Sequence, residues 1–157
     1  MEIITYREEY KQQIINLILH IQNDEAGIAL SLDEQPDLKN IPEYYQKNGG
    51  QFFIAIEGRE LIGTIAIMNY GNNNAVLKKF FVRSDFRGKG IGRALYCELL
   101  EYARDMGFER IVLDTPAVAQ ASHRFYEKSG FERIKKSELP FKYEYPDRDS
   151  YLYLLNL

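Results

Sequence analysis

The run Arg87-Gly88-Lys89-Gly90-Ile91-Gly92-Arg93 places three glycines within five residues. It follows an apolar stretch, Val76-Leu77-Lys78-Lys79-Phe80-Phe81-Val82, and precedes a helical spacing of Ile91, Leu95, Leu99 and Leu100. A turn at a helix start leaves backbone N–H groups without intrahelical acceptors and aims the positive end of the helix dipole at one spot. That is an anion site, most often for phosphate. Glycine also lets a ligand approach backbone where a Cβ would stand. Lys78, Lys79, Arg83, Arg87, Lys89 and Arg93 crowd around the turn, interrupted by the single acid Asp85. A solvated basic face needs no ligand, but glycines inside the cluster favour a phosphate-binding surface.

Other chemistries find less support. A P-loop requires Gly-x-x-x-x-Gly-Lys followed by Ser or Thr, which is absent. A dinucleotide fingerprint begins at Gly88-x-Gly90, but Arg93 stands where its third glycine belongs, and Arg83–Phe86 separate the turn from its strand. His20, Cys97 and His123 lie far apart, so no metal site is expected and no nucleophilic triad suggests itself. Cys97 reads as a small packed residue, and His123 as a surface residue or an orienting partner for Tyr126.

The elements that must position the turn follow from periodicity. Ile3–Tyr6 reads as a strand, Glu8–Asn23 as a helix, and Asp24–Gln35 as an irregular connection. Asp37–Asn48 reads as a second short helix stopped by Gly49-Gly50. Strands are expected at 51–56, 61–70 and 75–83, with Gly63 a bulge or close-packing position. The helix from the glycine turn runs to about Met106. A buried strand at Arg110–Thr115, a helix at Ala117–Ser129, and strands at Phe131–Lys135 and Tyr151–Leu155 complete the chain. The order βααβββαβαββ describes an α/β fold, a mixed and largely antiparallel sheet with helices on both faces.

Length and composition bound the rest. With 157 residues, 45% apolar and 27% charged, the chain is expected to form one globular domain over 1–157. A net charge of −3 argues against general nucleic-acid binding. No apolar run has the length of a membrane span, the start is unlike a signal peptide, and one cysteine allows no intramolecular disulfide. A cytoplasmic protein with no membrane partner is the simple expectation.

Arg87-x-x-Gly90-x-Gly92 after Phe80-Phe81-Val82 resembles the acyl-CoA signature of the GNAT superfamily of CoA-dependent N-acetyltransferases. Phe125-Tyr126-Glu127-Lys128-Ser129-Gly130-Phe131 is similar to that family's second conserved segment, and together the likeness covers Ile3 to Leu155. The resemblance implies that acetyl-CoA is the co-substrate, with no metal. Backbone N–H groups of Gly88, Lys89, Gly90, Ile91, Gly92 and Arg93 would hold the pyrophosphate. The backbone of Phe80, Phe81 and Val82 would pair with pantetheine amides like an added strand. Arg87, Lys89 and Arg93 would add charge, with the one that touches phosphate left open.

The resemblance also implies direct attack of an amine on the thioester. A lysine-like amine titrates near 10.4, so holding it neutral at pH 7 costs roughly 4–5 kcal/mol, which a base or water relay offsets. Tyr126 matches the family's general acid; alternatively it is a core aromatic. Asp114 is the base candidate, standing where ribosomal-protein-acetylating members carry a glutamate, and is one methylene shorter. It is equally a cap for the following helix. Many relatives carry an asparagine where this chain has Ala119, with Gln120 a conceivable replacement. Relatives with an acid in the cofactor strand would have it at Val76.

Two segments would border the acceptor: Asp24–Gln35, with Asp24, Glu25, Asp33 and Glu34, and 137–150, with Glu138, Tyr143, Glu144, Tyr145 and Asp147. Carboxylates with aromatics suit a cationic amine, though polar surface loops read the same way. The reading is an N-acetyltransferase acting on a small-molecule primary amine or amino acid. Its alternatives are a noncatalytic acyl-CoA-binding regulatory module and a protein N-terminal or lysine acetyltransferase. Homodimers are common in the family, and the pattern here leaves the oligomeric state open.

Overall fold

The computed structural model describes residues 1–146 and 148–157. Its strands are β1 (Glu2–Thr5), β2 (Gln51–Glu57), β3 (Glu60–Gly71), β4 (Asn74–Val82), β5 (Arg110–Pro116), β6 (Glu132–Ile134) and β7 (Ser150–Asn156). They form one sheet in the order β1-β2-β3-β4-β5-β7-β6, in which β4 and β5 are parallel and the other pairs antiparallel. The fold class expected from the sequence is the one observed.

Helices cover both faces. On one face α4 (Ile91–Asp105) and α5 (Gln120–Lys128) pack over Phe53, Ile65, Ile67, Leu77, Ile111 and Leu113. On the other, α1 (Lys11–Leu19), α2 (Pro36–Lys39) and α3 (Ile41–Tyr44) cover Phe52, Ile54, Ile56 and Ala66. β2 and β3 are therefore buried on both sides, which explains their nearly unbroken apolar sequences. Gly63 fulfils both expectations made of it. The β2–β3 register slips beside it, and a Cβ there would stand 2.9 Å from Leu95 Cδ1.

Three local expectations are corrected. The first helix continues past Leu19 as a π-helical segment, His20–Glu25, which turns Gln22 into the interior. The second helix is broken at Asn40, whose side chain caps α3 ahead of Pro42. The helix expected from Ala117 begins three residues later, at Gln120.

Candidate active site

β4 and β5 run side by side only over Asn74–Val76 and Arg110–Val112. Beyond that point the strands splay, and β4 loses its neighbour on the β5 side while staying paired with β3 on the other. The sheet thus opens a wedge next to the start of α4.

The glycine turn sits at the mouth of that wedge. Gly88 and Gly90 adopt φ of +75° and +82°, a left-handed backbone that residues with a Cβ reach only with strain. The first bond of the helix runs from the Ala94 N–H to the Gly90 carbonyl, at 3.0 Å. The amides of residues 88 to 93 precede it and have no backbone acceptor among the described residues. A Cβ at Gly88 or Gly90 would meet nothing within 4 Å, so open space lies over the turn. Arg87 is committed elsewhere: its Nε donates to the Val82 carbonyl at 2.9 Å and its guanidinium pairs with Glu25 at 2.6 Å. Lys89 lies 5.1 Å over the Phe86 ring, and Arg93 is exposed.

Strand β4 carries an irregularity that alternation along the strand does not announce. Lys78 pairs with Ala66 and Phe81 with Thr64, so Lys79 and Phe80 together oppose Ile65. Lys79 takes φ +53°, and the Thr64 hydroxyl donates to its carbonyl at 2.6 Å. This is a β-bulge, and it reverses the faces of everything that follows. Ala75, Leu77, Phe80 and Val82 face α4 and α5; Val76, Lys78, Lys79 and Phe81 face the other way. Without the extra residue, Lys79 would enter the apolar core beneath α4.

Lys79 instead enters a buried polar network. Its ammonium donates to Gln35 Oε1 at 2.6 Å and lies 3.6 Å from Asp37 Oδ2. Gln35 and Gln22 exchange two amide bonds, and the Tyr45 hydroxyl donates to Asp37 at 2.6 Å. Burial pulls the Lys79 ammonium below its ordinary pKa; the Asp37 charge opposes this and the neighbouring Lys78 adds to it. The Tyr45 phenol is pushed well up by burial, with Asp37 contributing.

Tyr126 is fixed by the end of α5. The Phe131 N–H bonds back to the Tyr126 carbonyl at 3.0 Å and the Gly130 N–H to Glu127 at 3.2 Å, a Schellman turn with Gly130 at φ +94°. Its hydrophobic contact is Phe131 against Tyr126, with ring centroids 5.6 Å apart. The Tyr126 ring is buried beside Phe80 and Tyr153, while its hydroxyl makes no hydrogen bond to another described residue. Among the described residues only the Tyr96 hydroxyl is both fully sealed and unpartnered, so the Tyr126 hydroxyl keeps a sliver of exposure. Burial raises its pKa, and the charge of Asp114 raises it further.

Asp114 does not cap α5, whose N-cap is Ala119 with no side-chain bond. Its carboxylate accepts the Tyr143 hydroxyl from the connection before β7, and Tyr143 stays protonated well past the ordinary phenol range through burial and that charge. Two further readings are overturned. His123 is buried, bonded to the Pro116 carbonyl at 2.9 Å with its ring tilted against Tyr151 at 4.9 Å, because the late start of α5 turns it inward. Cys97 is exposed, since Leu95, Tyr96 and Leu99 take the buried face of α4.

The acids expected to welcome a cationic amine are already paired. Asp24 bonds His20, Glu25 meets Arg87, Asp33 meets Lys39 and Glu34 meets Arg148. Glu144 pairs with Lys142, and Glu138 accepts the Lys135 N–H; Asp147 lies outside the described residues. Sequence reasoning missed the Lys79 network and the Asp114–Tyr143 bond. The one available signal was two adjacent lysines inside an apolar strand, where strict alternation would bury one of them against α4.

The sheet, its wedge and the helix-borne turn define an acetyltransferase fold. A sequence model described as the acetyltransferase (GNAT) family matches residues 15–131, and the chain belongs to that family of acyltransferases. It is similar to a crystallised acetyltransferase from Streptococcus agalactiae, 41% identical with a TM-score of 0.95, covering 99% of this chain and 98% of that one. A GNAT-family acetyltransferase from Staphylococcus aureus is 35% identical, with the same TM-score and the same shares of both chains. N-acetylaspartate synthetase of Danio rerio is 36% identical over 104 residues, 65% of this chain and 37% of that protein. The chain therefore matches little more than a third of that relative's length. No helix among the described residues is long and apolar enough to cross a membrane.

Proposed function

We propose that the protein transfers the acetyl group of acetyl-CoA to the primary amine of a small molecule by direct attack. The observation that carries this reading is the wedge between β4 and β5, opening beside a helix start whose amides lack backbone acceptors. The amides of Gly88, Lys89, Gly90, Ile91, Gly92 and Arg93 suit a diphosphate, and the edge of Phe80, Phe81 and Val82 that β5 leaves uncovered suits pantetheine amides, with the Val82 carbonyl already accepting from Arg87. With Arg87 held by Glu25, Lys89 and Arg93 are the cations left to face phosphate. Acetyl-CoA would supply the thioester carbon that the amine attacks.

In this reading Tyr126 protonates the departing thiolate. In water that transfer is uphill by about 2 kcal/mol, since a phenol titrates near 10 and a thiol near 8.5. The burial that raises the Tyr126 phenol would equally disfavour the thiolate, so the comparison is between two desolvated anions. Asp114 would accept the amine proton, directly or through water, while the Tyr143 hydroxyl holds its carboxylate in place. The N-acetylaspartate synthetases among the relatives favour an amino-acid acceptor over a protein lysine or N-terminus.

Tyr126→Phe tests the assignment. It is expected to lower kcat by about 100-fold or more, the range of a lost general acid, with CoA affinity by calorimetry changed less than about threefold. An unaltered kcat across a panel of amines removes the phenol from the mechanism. CoA binding with no thiol release from any amine would favour the noncatalytic alternative.

A further inference from the structure

Accepting the transferase reading, we infer that the acceptor is an anionic amine of the amino-acid kind, whose carboxylate is held by Lys78 beside Lys79 on the face that the β4 bulge creates. In a regular strand two consecutive residues point to opposite faces. Here the left-handed residue at position 79 puts both lysines on the face away from α4. That conformation is strained for a residue with a Cβ, and it sets two like charges side by side.

The two cations differ in what they already hold. Lys79 is matched by Asp37 and Gln35. Lys78 has no carboxylate partner among the described residues; its ammonium lies 5.8 Å from the centre of the Tyr143 ring. It is half-buried, so it has given up water without gaining an anion. The acids of the 24–35 segment cannot supply one, since each is engaged by His20, Arg87, Lys39 or Arg148.

Tyr143 links this spare cation to the proposed base, because its ring faces Lys78 and its hydroxyl bonds Asp114. A zwitterion matches that arrangement, with its nitrogen toward Asp114 and its carboxylate toward Lys78. An amine lacking the carboxylate leaves Lys78 unmatched. Lys79, locked to Asp37, holds the bulge and so positions Lys78.

The test compares matched acceptors at saturating acetyl-CoA, reading thiol release: L-aspartate and L-alanine against L-alaninamide and ethylamine. The expected result is a preference in kcat/KM for the carboxylate-bearing amines of about 10-fold or more, the scale of one charge-assisted hydrogen bond. Lys78→Gln should shrink that ratio about 10-fold, and Lys78→Glu should turn preference toward a diamine such as 1,4-diaminobutane. Lys78 makes no ion pair with another described residue, so both variants should fold, which a thermal melt verifies. Uncharged amines acetylated as well as amino acids, or a ratio unmoved in Lys78→Gln, overturns the carboxylate site while leaving the transferase intact. Silence from every amine in a protein that binds CoA removes both readings together.

Discussion

The two sides of the wedge are built from different materials. The proposed cofactor side is made of backbone: amides left over at the start of α4 and the unpaired edge of β4, with side chains kept back by Gly88, Gly90 and Gly92. The proposed acceptor side is made of side chains, Gln22, Gln35, Asp37, Tyr45, Lys79, Asp114 and Tyr143, drawn from segments far apart in the chain. Backbone donors persist whatever side chains surround them, whereas a side-chain network changes one residue at a time.

Each half can be broken separately. Asp37→Asn should have the largest effect on stability, because it leaves the Lys79 ammonium buried without its carboxylate. Removing one partner of a buried pair costs about 3 kcal/mol, or roughly a 10 °C fall in Tm for a chain of this size. CoA titration below the melt should be little altered. A Tm within about 2 °C of the parent would mean that the network does not hold the acceptor side together.

Gly90→Val attacks the other half. A β-branched residue at φ +82° is strained and crowds the space above the turn. CoA affinity measured by calorimetry should fall about 10-fold or more. Tight binding retained in Gly90→Val would move the diphosphate away from this turn.

The smallest effect is a pH dependence that samples both halves. Tyr126 borders the wedge from the α5 side, while Tyr45 and Tyr143 belong to the acceptor side; all three have folded pKa values raised first by burial. Their contribution to stability is full below the unfolded phenol value near 10 and is lost as pH rises beyond it, by up to about 1.4 kcal/mol per pH unit for each tyrosine. Lys79 runs the other way. Its folded value is lowered, so its burial cost is relieved as pH climbs from that value toward 10.5. Tm should therefore fall steeply only above about pH 10, and Tyr126→Phe should make that fall shallower. A melt curve indifferent to pH 11 would contradict the burial of these phenols.

The sequence by itself determined the order of strands and helices along the chain, the helix on the glycine turn and the segment that fixes Tyr126. Each is written in neighbouring residues: apolar alternation, glycines at a helix start, and Ser129-Gly130-Phe131 closing α5 onto the Tyr126 carbonyl. Tertiary structure decided what the charges do. Arg87 and Glu25 are sixty-two positions apart, Lys79 and Gln35 forty-four, and Tyr143 and Asp114 twenty-nine. Local propensity cannot choose among such partners, because in the unfolded chain every lysine and carboxylate is satisfied by water. Only when the strands splay and the bulge turns Lys79 from one face to the other does burial make each pairing obligatory.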